Sequence, residues 1–133
     1  MLKQINNFWE MFYSEQSAKE LSKNTLMIYN RIYEYFYQYL VNSIDNHQIS
    51  TICDINNSTL VDYINKLNLA NSTKQLHITI IKQFLWFIAD FDIKEYGILK
   101  NKVTGVTIKK VDKPVDVFND VEQQKIKNLI QAL

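Results

Sequence analysis

Neither glycine nor proline occurs in the first 96 residues of this chain; Gly97, Gly105 and Pro114 fall together in one stretch near its end. These are the strongest interrupters of regular backbone, and before them apolar residues recur at helical spacing. The expected fold class is therefore all-α: a bundle of four main helices, followed by an extended linker and one further helix. The first helix, 3–18, lines up Ile5, Phe8, Trp9 and Phe12. The second, 22–41, opens on Ser22 as a cap and carries Leu26, Tyr29, Tyr33, Phe36, Tyr37 and Leu40 along one side. A polar loop through Asp45, Asn46 and His47 leads to a short third helix marked by Leu60, Tyr63, Ile64 and Leu67. The fourth, 71–90, carries Leu76, Ile80, Phe84, Phe87 and Ile88 inward. Short connections at 18–22 and 67–72 predict antiparallel neighbours.

Three segments are expected. Residues 1–97 form the helical domain and 98–117 an interdomain linker, β-branched and basic over 103–111. Residues 118–133 form the first helix of a further, truncated domain: Asn119 and Glu122 make a capping pair, and Ile126, Leu129, Ile130 and Leu133 form a stripe that reaches the end of the sequence without a stop signal. A terminal helix that packs back on the bundle is the plainer reading.

Charge sets what the surface can do. With 15 basic and 14 acidic residues the net charge is +1, so no bulk field draws the chain to DNA or membrane and any nucleic-acid site must be a local patch. Cys53 is the sole cysteine, which excludes an internal disulfide framework and suits a reducing cytoplasm. No apolar run approaches the ~18 residues of a membrane span, so no membrane partner is expected. His47, Cys53 and His77 share neither spacing nor helix face, which argues against a metal. With two glycines and two histidines, no phosphate loop or acyl-transfer triad can be assembled, so no catalytic residue and no cofactor are expected.

Two helix starts are the best functional clue. Ser22-Lys23-Asn24-Thr25 and Asn71-Ser72-Thr73-Lys74 each combine a cap residue with a lysine in the first turn. A cation there opposes the helix dipole, whereas unpaired N–H groups beside a cation suit a phosphate backbone. On the fourth helix Lys74, Gln75, Thr79 and Lys82 share an arc opposite Leu76 and Phe87, a pattern that fits a major groove. Lys109, Lys110 and Lys113 can lie along a phosphate backbone as point charges. Simple capping, a solvated polar face and an ordinary charged linker have the same patterns. Tyr29, Tyr33 and Tyr37 follow the apolar stripe and read as core, while Tyr35 and Trp86 lie off the stripes and mark a second surface, such as one for a protein partner.

The run Leu21-Ser22-x-x-Thr25-Leu26-x-x-Tyr29, with Phe36 and Tyr39-Leu40, resembles the second helix of the core-binding, SAM-like domain of tyrosine recombinases and phage integrases. Ser72-Thr73, His77, Thr79, Lys82 and Phe84 resemble a later helix of that domain, which starts on threonine and continues with basic residues and aromatics. Ile98-Leu99-Lys100-Asn101, Lys109-Lys110, Pro114 and Phe118-Asn119-x-x-Glu122 look like the passage into the catalytic domain. The family usually has proline where Lys102 stands, and arginine where His77 and Lys82 stand. The resemblance implies the DNA-binding N-terminal part of a site-specific recombinase, which clamps duplex DNA at recombination sites. It implies as partners duplex DNA and, in the synaptic complex, further protomers of the same kind. DNA contacts are then expected from Lys23, Asn24, Thr25, Thr73, Lys74, Gln75, His77, Thr79 and Lys82, with Lys109, Lys110 and Lys113 on the linker. The family's arginine-rich site and tyrosine nucleophile would lie beyond this chain. The alternative is a small, complete helical interaction or accessory protein.

Overall fold

Lacking glycine in its first 96 residues, the chain closes its helices by other means. Ser22 caps the second helix, its Oγ accepting from Thr25 N at 3.1 Å. Asn56 caps the third reciprocally: its Oδ1 accepts from Thr59 N at 3.0 Å while Thr59 Oγ1 accepts from Asn56 N at 3.2 Å. At the end of the second helix His47 takes a left-handed φ of 60°, with Gln48 N donating to Ser43 O at 2.8 Å and His47 N to Ile44 O at 3.0 Å. This is the Schellman closure that glycine usually provides. Glu20, also at φ 60°, turns the chain after the first helix.

The computed structural model describes residues 1–106, and over them the chain is all-α, with no strand among the described residues. The helices are α1 Leu2–Ala18, α2 Lys23–Asp45, α3 Asn57–Asn65, α4 Asn71–Phe91, α5 Ile93–Tyr96 and α6 Leu99–Lys102, with a 3-10 turn Ile52–Asp54 before α3. None of them is long and apolar enough to cross a membrane.

The other helices assemble around α4, which packs against α1, α2, α3, α5 and α6. Rings from α1 and α2 converge on Phe84: Trp9 at 5.1 Å, Phe12 at 5.6 Å and Tyr33 at 6.0 Å between centroids. Such pairs add about 0.5–1.5 kcal/mol each beyond the area they bury. Pairing order gives the directions. Trp9 meets Tyr33 while Phe12 meets Tyr29, so α1 and α2 run antiparallel. Tyr33 meets Phe84 while Tyr35 meets His77, so α2 and α4 do too. Tyr29, Tyr33 and Tyr37 are half-buried against the core, and the Tyr33 hydroxyl donates to Asn6 Oδ1.

Two expectations change. Leu76 is 40% exposed rather than inward: Ile80 and Phe84, which follow it along the same side of α4, are buried, and Leu76 lies at the edge of that face in the second turn of the helix. The packed unit also continues past 97, where the linker was expected to begin. Leu99 and Val103 are fully buried, and residues 99–102 are helical. Gly97 here allows close packing rather than a break: a Cβ on it would lie 2.4 Å from Ile93 O, so only glycine lets α5 turn this tightly into α6. The expected linker from 107 onward, with Lys109, Lys110 and Lys113, and the helix at 118–133 lie outside the described residues.

If Leu99 belongs to the core, Leu99→Ala should lower unfolding free energy by ~2–5 kcal/mol in equilibrium urea denaturation. A change within about 0.5 kcal/mol, as for an exposed linker position, would return the boundary to 97.

Candidate nucleic-acid interface

At about 100° per residue, Gln75, Thr79, Lys82 and Trp86 fall in one row along α4. Together with Gln83 they line a groove of about 520 Å³ whose far wall is formed by Thr104, Gly105 and Val106. Gln75 Nε2 reaches Val106 O at 3.4 Å, and the Thr79 hydroxyl donates back to Gln75 O at 3.0 Å. The Trp86 indole N–H donates to Val103 O at 2.6 Å, which fixes the ring at the base of the groove. Lys82 Nζ stands 4.6 Å and Lys100 Nζ 5.4 Å from the centre of that ring. Such cation–ring contacts are worth about 0.5–1 kcal/mol at exposed sites; Lys82 lines the groove, whereas Lys100 lies outside its lining and is paired with Asp90.

Among the described residues no carboxylate lines this groove. Asp90 is paired with Lys100 at 2.5 Å. A second groove of about 500 Å³ lies across the Gln83–Trp86 ridge, between α1 and α4, and differs in character. Phe12, Phe87 and Phe91 line it together with Glu15, Asp90 and Lys19, so its charge is mixed. Repulsion from its carboxylates makes the second groove a poor seat for phosphate, while the first offers a lysine, amides and hydroxyls.

The structure brings together only part of the expected DNA set. Gln75, Thr79 and Lys82 share the first groove. Lys74 is half-buried at the start of α4, about 100° round from Gln75 and outside that groove. Thr73 is exposed in the first turn. The start of α4 is capped at Ala70 with no side-chain cap bond, so neither Asn71 nor Ser72 acts as the expected cap. Lys23 and Asn24 are exposed at the start of α2, but the Thr25 hydroxyl is engaged with Ser22 Oγ at 2.9 Å. Because α2 and α4 are antiparallel, their two starts stand at opposite ends of the pair. The 21 residues of α4 separate them by roughly 30 Å, so they do not form one site. Trp86, expected on a separate surface, lies in this groove instead, and its place in the 75–79–82–86 row was the signal that could have found it.

His77 is not at the surface. It is 3% exposed, and its Nδ1 pairs with the Tyr63 hydroxyl at 2.7 Å, with Tyr35 edge-on at 5.5 Å. The family-like position therefore holds a core histidine here, and a side chain buried between α3 and α2 cannot reach a base edge. Burial lowers its pKa below the ordinary 6.5 and pushes the Tyr63 hydroxyl up. On the other side of Tyr63 the Tyr39 hydroxyl donates to Asp62 Oδ2 at 2.7 Å, a bond that holds the carboxyl below its usual range while Tyr39 rises to about 12, chiefly through burial. Among the described residues no group of three or more His, Cys, Asp or Glu side chains could hold a metal ion.

A histidine whose folded pKa is depressed binds its proton more readily when unfolded, so acid favours unfolding. The His77 contribution should be fully present above pH 6.5 and diminish as pH falls below it toward the folded-state value. Urea midpoints measured from pH 7.5 to 5 should fall through this window in the parent and stay flatter in His77→Gln. An equal fall in both would show that His77 is not the group responsible.

No known protein family, curated protein or solved structure matches the chain.

Proposed function

We propose that this chain is a duplex-DNA-binding module of the kind found at the N-terminal side of tyrosine recombinases, with its helices arranged as in their four-helix, SAM-like core-binding domain. It binds DNA through the α4 groove. The observation that carries the reading is the composition of that groove: Gln75, Thr79 and Lys82 in one row, and no carboxylate among the described residues that line it. Lysines neutralise phosphate, and glutamine and threonine can reach base edges or backbone oxygens. The all-α fold and the order of motifs along the chain support the family reading. In this reading the module positions DNA, and strand cleavage belongs to a catalytic domain that follows it. DNA, and protomers of the same kind in a synaptic complex, are its partners, and the cytoplasm its compartment.

One observation favours a second reading, a helical protein-interaction module. Phe91, Ile93 and Ile98 are 58%, 72% and 52% exposed at the corner where α4 passes into α5 and α6. Phe8 stacks edge-on against Phe91 and Tyr96 beneath them, so the patch has a firm base. Exposed apolar clusters of this sort mark protein contacts.

Salt dependence separates the two. Duplex affinity should fall linearly in log–log form with added salt, with a slope near −0.9 per phosphate contact. Lys82→Ala should weaken binding and reduce that slope by about one, leaving the far-ultraviolet circular dichroism unchanged. Salt-independent binding, or a Lys82→Ala variant that binds with the parent's slope, would remove DNA from this groove.

A further inference from the structure

The wall of the groove opposite α4 has no regular structure of its own, yet it is tied down from several directions. Val103 O is held by the Trp86 indole, and Val106 O by Gln75. Between these anchors a single side chain, Asn57 at the start of α3, makes three hydrogen bonds. Its Nδ2 donates to Thr104 Oγ1 at 2.8 Å, and its Oδ1 accepts from Thr104 N at 3.2 Å and Gly105 N at 3.3 Å. Asn57 is not needed to cap its own helix, because Asn56 and Thr59 already do so. Gly105 sits at φ 129°, which L side chains rarely adopt, and a Cβ there would stand 3.4 Å from Lys82 Nζ. The turn thus brings the wall's backbone against the Lys82 side chain.

We propose that Asn57 is a positioning residue for DNA binding: by clamping Thr104 and Gly105 it holds this segment as the second wall of the α4 groove. The inference rests on the reading of that groove as the DNA site. The clamp also has a chemical consequence. Thr104 Oγ1, as the acceptor of the Asn57 amide, keeps its own hydrogen to donate, and Thr104 lines the same groove as Lys82, so it can supply a neutral donor for a phosphodiester oxygen. Lys82 and Thr104 then hold the same phosphate from opposite walls, and Asn57 sets the distance between them without touching DNA.

The test uses the full chain and a fluorescein-labelled mixed-sequence 30-base-pair duplex at low salt, read by anisotropy, alongside amide hydrogen exchange without DNA. Asn57→Ala should speed exchange at Thr104 and Gly105 while α3 keeps its protection, and should weaken duplex binding roughly fivefold, the scale of a net hydrogen bond. Its salt slope should stay within a few tenths of the parent's, because Asn57 itself carries no charge. Thr104→Val, at an exposed position, removes both the acceptor of the Asn57 amide and the neutral donor and should weaken binding by a comparable factor; it decides the matter if Asn57→Ala does not fold. Unchanged affinity in these variants, or unchanged exchange at 104 and 105, overturns the positioning role while leaving the DNA reading intact. Tighter binding also overturns it, since the segment would then be a cover over the groove. A parent chain that fails to bind the duplex overturns both, and is told apart by that control alone.

Discussion

The convergence of Trp9, Phe12 and Tyr33 on Phe84 is the contact on which the arrangement of the three long helices depends. Without it, α1 and α2 would still be amphipathic helices but would have no fixed place along α4. Tyr33 joins this cluster through a ring stacked 4.5 Å from Trp9, and Trp9 donates its indole N–H to Asn30 at 3.0 Å. Polar and aromatic constraints therefore act on the same residues. With these helices covering one side of α4 and α3 another, one flank is left uncovered, and on that flank the Gln75–Thr79–Lys82–Trp86 row meets the returning chain.

That division gives α4 two jobs. Its buried row closes the core through Ile78, Ile81, Leu85 and Ile88, while its polar row is presented by a helix packed against five others. Binding surfaces carried on a rigid, packed element lose little entropy on meeting a partner. The pairing of Trp86 with Val103 O and with two lysines links the jobs, because the same ring both fastens the segment after α6 and lines the groove.

The sequence made the helices legible because their apolar periodicity is strong and unbroken, and Ser22 was readable as a cap because its spacing to Thr25 is a local property. Errors arose where the outcome depended on which elements close over a face. Leu76 continues an apolar pattern, yet lies at its partly exposed edge; His77 is polar, yet α3 brings Tyr63 to it in the core. Gly97 looks like a stop because glycine usually is one, but here it closes tightly on Ile93 O at the end of α5, and Leu99 and Val103 return to the core. His47 and Glu20, which end helices in the left-handed conformation, carry no such signal. Within the candidate site, Gln75, Thr79 and Lys82 followed from one helix's periodicity. Asn57 and Thr104 did not, being 47 positions apart and joined only by the fold.

If the polar row of α4 and the wall opposite it form one DNA-binding surface, amide and indole chemical shifts followed during titration with a short duplex will change chiefly at Gln75, Thr79, Lys82, Gln83, Thr104 and the Trp86 indole, with the Phe91, Ile93 and Ile98 corner unaffected. Shifts centred on that apolar corner, or on the start of α2 alone, would contradict it.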